Sequence, residues 1–205
     1  MDLISILCFV LDSRCCVCET PVTRLSFCKD CHPTPLPPAQ DSAFFSSFEF
    51  NSKAQKLLHL IKYQKKDQFL SLLIPFLPTI FPWKLGPSTK LVPVPLSKDR
   101  FLERGFNQAE WLADQISVKT HLAAEKNGLL KARNTSPQSI LNKRDRENNL
   151  LGAFMWNPHT PIPQQAILID DVFTTGATLK ACSNILKNAG ITKVYGWTLF
   201  KKDLF

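Results

Sequence analysis

The strongest hydrophobic pattern in this chain of 205 residues lies near its C-terminal end. Ala166, Ile167, Leu168 and Ile169 form an unbroken apolar run that leads into two acids, Asp170 and Asp171. A short run of this kind, bounded upstream by Pro158, Pro161 and Pro163, reads as a buried strand of a parallel sheet. Thr174, Thr175, Gly176, Ala177 and Thr178 follow. Apolar positions then recur at helical spacing (Cys182, Ile185, Leu186, Ala189) until Gly190, a residue type that stops helices at this position. The order is strand, tight loop, helix.

The same reading runs along the rest of the chain. Residues 44–50 are aromatic-rich and predict a strand. Leu57, Leu58, Leu60 and Ile61 sit among Lys53, Lys56, Lys62, Lys65 and Lys66, which predicts an amphipathic helix whose lysines are solvated. Residues 69–80 are very apolar and predict a buried helix ended by Pro78 or Pro82; the stretch is too short and too proline-broken to span a membrane. Residues 91–95 predict a short strand leading to a loop with Lys98, Arg100, Arg104 and Gly105, and a helix from Phe106 to about Ile116. Residues 129–149 form a polar stretch with little periodicity. Residues 152–156 and 193–200 predict further strands. Strands alternating with helices give an α/β fold with a mainly parallel sheet flanked by helices, and a ligand belongs at the carboxyl ends of the strands.

The chemistry of the first stretch follows from its geometry. Loop and first-turn N–H groups ahead of a helix have no intrahelical acceptor and point at an anion. Gly176 allows close approach, and the threonine hydroxyls add donors, so the expected ligand group is a phosphate monoester. Two adjacent carboxylates at a strand end suit the vicinal hydroxyls of a ribose, or Mg²⁺ held through those hydroxyls. Helix capping alone would explain neither the paired acids nor the threonine-rich run. Arg104 and Gly105 before the next helix suit an anion as well.

Composition adds a partner class. The formal net charge is +8 and the pI about 9.2, which favours an anion: nucleotide phosphate, nucleic acid or anionic lipid. Among seven cysteines, Cys15 and Cys18 form one C-x-x-C pair and Cys28 and Cys31 another. This spacing is the framework of a structural four-thiolate zinc site. Cys8 and Cys16 fall out of register, and paired spacing favours Cys31 over His32 as the fourth ligand. The prolines at 33, 35, 37 and 38 mark an extended linker, dividing the chain into a zinc-binding segment 1–40 and a second domain 41–205. Residues 3–11 are apolar but lack a basic leader region, so the expectation is a cytoplasmic chain with reduced thiols. His59, His121 and His159 have no partners at ligand spacing. Phe44, Phe45, Phe48 and Phe50, near the basic helix, are candidates for base stacking, but core packing is the favoured reading of each.

At several of these positions the sequence resembles known signatures. Asp170-Asp-Val-Phe-Thr-Thr-Gly-Ala-Thr178 looks like the phosphoribosyl-pyrophosphate (PRPP) motif of type I phosphoribosyltransferases. Val92-Pro-Val-Pro-Leu96, Arg104-Gly-Phe-Asn-Gln-Ala109, the Arg133, Thr135, Gln138 pattern and the later Arg146, Asn149, Gly152, Phe154 pattern narrow the resemblance to the ComF family, as do the cysteine pairs. That resemblance implies a type I phosphoribosyltransferase-like domain. PRPP would be held by Asp170, Asp171, Val172, Phe173, Thr174, Thr175, Gly176, Ala177 and Thr178, with Arg104 and Arg133. Asp170, Asp171 and Arg104 would be the catalytic groups, with Mg²⁺ on the pyrophosphate. A mobile loop over residues 129–149 would close on the ligand. It further implies a role in natural competence, with single-stranded DNA, a ComF-type helicase and other DNA-processing proteins as partners. The alternative is an active phosphoribosyltransferase with an unidentified acceptor.

Overall fold

The computed structural model of the chain describes residues 14–22, 27–37, 42–63, 68–132, 150 and 152–202. Its centre is strand β5 (Gln165–Phe173), which carries the apolar run and continues through both acids. Residues 166–169 have no exposed surface. Because side chains alternate along a strand, they feed two cores. Ile167 and Ile169 join one cluster, with Leu57 and Ile61 of α1 (Ser52–Tyr63) and Leu112 and Ile116 of α4 (Gln108–Thr120). Ala166 and Leu168 join the other, with Leu179, Cys182 and Leu186 of α5 (Ala177–Asn188). Burial on both faces is why this strand reads as continuous rather than alternating.

The sheet is all parallel. From one edge it runs β1 (Phe44–Glu49), β6 (Lys193–Lys201), β5 and β2 (Thr89–Pro93). The fold class is therefore the expected α/β one, a mainly parallel sheet flanked by helices. Gly190 ends α5 as the spacing predicted: its N–H reaches the Lys187 carbonyl at 2.9 Å, and the Ile191 N–H reaches that of Leu186 at 3.1 Å. Such paired bonds close a helix by satisfying its last carbonyls. At the start of α1, the Asn51 side chain accepts from the N–H groups of Lys53 and Ala54 at 3.1 and 3.0 Å.

Three expectations change. Residues 69–80 are not one buried helix. A single turn, α2 (Gln68–Ser71), gives way to a 3₁₀ turn over Ile74–Phe76, because Pro75 supplies no N–H and its ring clashes with the preceding helical turn. Leu73 and Leu77 are still buried, while Ile80 faces solvent. The basic loop is instead a helix, α3 (Lys98–Arg104), started by the Ser97 side chain and stopped at Gly105. The polar stretch begins as a strand, β3 (Leu129–Lys131), antiparallel to β4 (Phe154–Trp156) in a separate two-stranded sheet. Arg133, Thr135, Gln138, Arg144 and Arg146 lie outside the described residues. Phe44, Phe45, Phe48 and Phe50 pack on the cores, the favoured reading; Phe48 sits edge-on to Phe76, and Phe50 to Phe200.

The cysteine segment packs on the same core. Cys15, Cys16, Val17 and Cys31 are buried together with Phe48, Ala54, Leu57 and Phe200. Residues 34–36 run along β1: Leu36 donates to Ser47 at 2.8 Å and Glu49 to Thr34 at 3.0 Å, which covers part of that sheet edge. On the opposite side of the sheet, Phe44 lies over Gly196. A Cβ there would meet the Phe44 ring at 2.6 Å and Leu179 at 3.3 Å. Gly196→Ala is expected to cost about 1–3 kcal/mol by overpacking, read as a lower urea midpoint with an unchanged slope.

Candidate functional site

Strand β5 leaves the apolar layer at its carboxyl end, so Asp170 and Asp171 emerge where the parallel strands finish. β2 ends beside it, tied by the Val94 N–H to the Ile169 carbonyl at 2.9 Å. The loop after β5 turns at Gly176, whose φ of 74° is one that side chains disfavour. Beneath it lies Phe173, whose ring a Cβ at 176 would meet at 2.6 Å. The Thr175 hydroxyl accepts from the Ala177 N–H at 3.4 Å. The loop is thereby held against the end of β5 and opens directly into α5.

A cleft of about 200 Å³ lies in front of these elements. Asp170, Asp171, Val172, Thr174, Thr178 and Arg104 line it, although Arg104 is more than 60 residues away in sequence from the others. Phe173, Thr175, Gly176 and Ala177 shape the loop from behind rather than lining the cleft. Arg133 lies outside the described residues.

The cleft also gathers residues that the motif reading passed over. Lys62, at the end of α1, forms an ion pair with Asp171. Lys131 comes from β3 and Arg100 from α3. Asn107 caps α4, accepting from the Ala109 N–H at 3.0 Å and donating to the Val94 carbonyl at 3.1 Å. Gln108 accepts from Arg104 at 3.3 Å; its own amide nitrogen is buried and makes no hydrogen bond among the described residues. Lys62 had only its place on a basic helix as a signal, which every lysine of that helix shares. Asn107 and Gln108 were visible as part of the Arg-Gly-Phe-Asn-Gln run, without individual roles.

The two acids are not equivalent. Burial, then the neighbouring Asp171 charge, pushes the Asp170 carboxyl up to about 8, although it accepts the Asp171 N–H at 2.9 Å. For Asp171, burial pushes upward too, but the Lys62 ammonium, its hydrogen bond and the Arg104 charge outweigh it and hold the carboxyl below the usual range. Burial and the charge of Arg100 pull the Lys131 ammonium down. The result is one carboxylate stabilised by a cation, one carboxyl beside it, and further cations lining the same cleft. This arrangement suits a ligand that carries both hydroxyls and an anion. It does not make a magnesium site from the acids themselves. Mg²⁺ demands several oxygens in octahedral array, whereas Lys62 occupies Asp171 and the Asp171 N–H engages Asp170.

A second cluster lies away from this cleft. The sulfurs of Cys15, Cys18, Cys28 and Cys31 all lie within 4.8 Å of one another. In a tetrahedral site with Zn–S near 2.3 Å, sulfurs stand about 3.8 Å apart. The four thiols fit zinc after a small contraction, and the Cys28 N–H already donates to the Cys15 sulfur at 3.4 Å. Four protein ligands close such a site to substrate, so its contribution is structural. His32 instead sets its ring edge-on to Phe76, with centroids 5.1 Å apart. Among the described residues, no helix is long and apolar enough to cross a membrane.

Two outcomes follow from these sites. In the folded chain Asp170 keeps its proton up to about 8, whereas the unfolded chain releases it near 3.8. The native state then binds more protons across that window, so this group's contribution to stability falls as pH rises from about 4 through about 8. Asp170→Asn is expected to remove that slope and to be the more stable protein at pH 8, by about 1–3 kcal/mol; parallel melting profiles for the two proteins between pH 5 and 9 would contradict the assignment. For the cysteine cluster, elemental analysis of the purified protein should find one zinc per chain. Cys28→Ser should lose the metal and lower the melting temperature, because the segment it holds is part of the core.

No family model matches the chain. It is 34% identical to Competence protein F of Haemophilus influenzae over 111 residues, which is 53% of this chain and 48% of that protein. Over 112 residues it is 35% identical to Competence protein ComFC of Streptococcus pneumoniae, again 48% of the relative. Both matches thus span about half the length of the relative. A longer match, 28% identical over 194 residues, joins 90% of this chain to 82% of DNA utilization protein YhgH of Escherichia coli. These likenesses agree with the cysteine pairs, the strand and loop signatures and the all-parallel sheet: the chain is similar to competence and DNA utilization proteins.

Proposed function

We propose that this protein acts in competence or in the utilisation of DNA, as the names of its relatives say of them, and that its cleft binds PRPP or a related ribose phosphate. One observation carries the ligand class: Asp170, Asp171, Thr174, Thr178 and Arg104 converge on a single cleft at the carboxyl ends of parallel strands. In this reading Thr174, Thr178 and the N–H groups at the start of α5 receive the 5′-phosphate. Asp170 and Asp171 receive the ribose hydroxyls, and Arg104 and Arg100 face a pyrophosphate. Arg133 would be a further contact of the ligand. Zinc on the four cysteines would keep residues 14–37 packed on α1 and β1. The proposed DNA-handling role draws on the +8 charge, which attracts a phosphate backbone, and places the chain alongside a ComF-type helicase and other cytoplasmic DNA-processing proteins.

A second reading, an active phosphoribosyltransferase, draws on the apolar part of the same wall. Leu150 and Phe154 border the cleft beside the acids and give an acceptor base a surface to lie on. The chain's own residues would act by position and charge: cations on the departing pyrophosphate, acids on the ribose, and a closed cleft that keeps water from the reacting carbon.

Calorimetric titration of the full chain with PRPP and Mg²⁺ tests the common core of both readings. Micromolar binding is expected for the wild type and at least a tenfold loss for the Asp170→Asn/Asp171→Asn double variant. Unchanged binding by the variant would move the ligand away from the cleft. Phosphorus NMR of the same mixtures then separates the two, because only a transferase releases pyrophosphate when candidate acceptors are added.

A further inference from the structure

The ion pair at the head of the cleft bears on which ligand it takes. Lys62 and Asp171 are both mostly buried, their side chains 19% and 15% exposed. Lys62 is not a loose surface lysine. Leu57, Leu58 and Ile61 of the same helix are almost completely buried. At the other end of α1, Asn51 caps the first turn and Lys53 donates to the Asp30 carbonyl, between Cys28 and Cys31. The ammonium is therefore delivered to Asp171 by an element fixed at both ends. An incoming divalent ion would have to displace it, leaving a mostly buried cation without its partner, which is costly.

The charge balance leads to the same place. Lys62, Arg100, Arg104 and Lys131 line the cleft against Asp170 and Asp171, an excess of two positive charges with both acids ionised and of three while Asp170 keeps its proton. A phosphate monoester at neutral pH carries a charge of about −1.5 to −2, which this excess offsets with no added ion. A pyrophosphate on the same sugar brings more negative charge than the cleft offsets.

We propose that Lys62 stands at the acid pair in place of a divalent cation, so that the cleft binds a ribose 5-phosphate monoester without metal and needs Mg²⁺ only for a ligand that also bears pyrophosphate. This inference rests on the ribose-phosphate reading of the cleft and adds to it the ligand form and its metal requirement.

The test is calorimetric titration of the full chain with ribose 5-phosphate and, separately, PRPP, in magnesium-free buffer and in buffer with Mg²⁺. No chelator is used, so the cysteine cluster keeps its metal. For the wild type, ribose 5-phosphate is expected to bind within twofold in the two buffers, and PRPP to bind more tightly with Mg²⁺. Lys62→Met should weaken ribose 5-phosphate binding about tenfold without Mg²⁺ and recover part of it when Mg²⁺ is added, while Lys62→Arg stays near wild type. Melting curves establish that each variant is folded; should Lys62→Met not fold, the wild-type comparison and Lys62→Arg still decide. A wild type that binds ribose 5-phosphate only with Mg²⁺, or a folded Lys62→Met that binds it unchanged, overturns the role of Lys62 and leaves the ribose-phosphate site standing. A wild type that binds neither ligand in either buffer overturns the ribose-phosphate reading, and this inference with it.

Discussion

Strand β5 is covered on both faces, and everything near the cleft depends on that. Its alternate residues enter two separate cores, one built with α1 and α4 and the other with α5. The strand cannot slip by one residue without exchanging the two sets, so its register is fixed. Where the apolar run stops, the next two side chains are carboxylates at the open end of a sheet whose position is already set. Their strand is held by β6, which pairs with it from Gln165 to Phe173, and by β2, which pairs with its first half, Gln165 to Ile169.

Placing two acids side by side in that setting creates an electrostatic problem, and the surrounding fold answers it. Water is scarce at the strand end, and like charges repel across a single residue. Lys62 relieves one acid directly, while the other keeps its proton to higher pH. The lysine arrives on α1, which is anchored beside the four-cysteine cluster. The cysteine segment and the acid pair thus lie at opposite ends of α1. Behind the threonine loop, Phe173 supports Gly176 and leans on Phe44, whose ring lies over Gly196. These contacts explain why loop residues that do not face the cleft still belong to its construction.

Local sequence was a good guide where a short pattern has one physical solution. A continuous apolar run ending in acids, then threonines and glycine, is such a pattern; so are paired C-x-x-C motifs, whose four sulfurs do converge. It was a poor guide where two local readings compete. In residues 69–80, the apolar run read as one helix ended by Pro78 or Pro82, but Pro75 breaks it earlier. At 98–104, glycine and basic residues looked like an anion loop, but Ser97 and Gly105 are the two ends of a helix. The short β3–β4 pair was hidden because three-residue strands carry too little pattern to stand out.

The sequence by itself determined the α/β class, the central strand, the position of the acids and the threonine loop, and the identity of the four clustered cysteines. Each depends on residues within about 20 positions of one another, and backbone geometry relates them directly. Only the tertiary structure decided that Lys62 faces Asp171, that Lys131 and Arg100 line the same cleft as Arg104, and that the cysteine segment lies at the far end of the helix carrying that lysine. Those relations join residues that are distant in the chain. They arise because parallel strands need long crossovers, which bring separate helices and loops to the same end of the sheet.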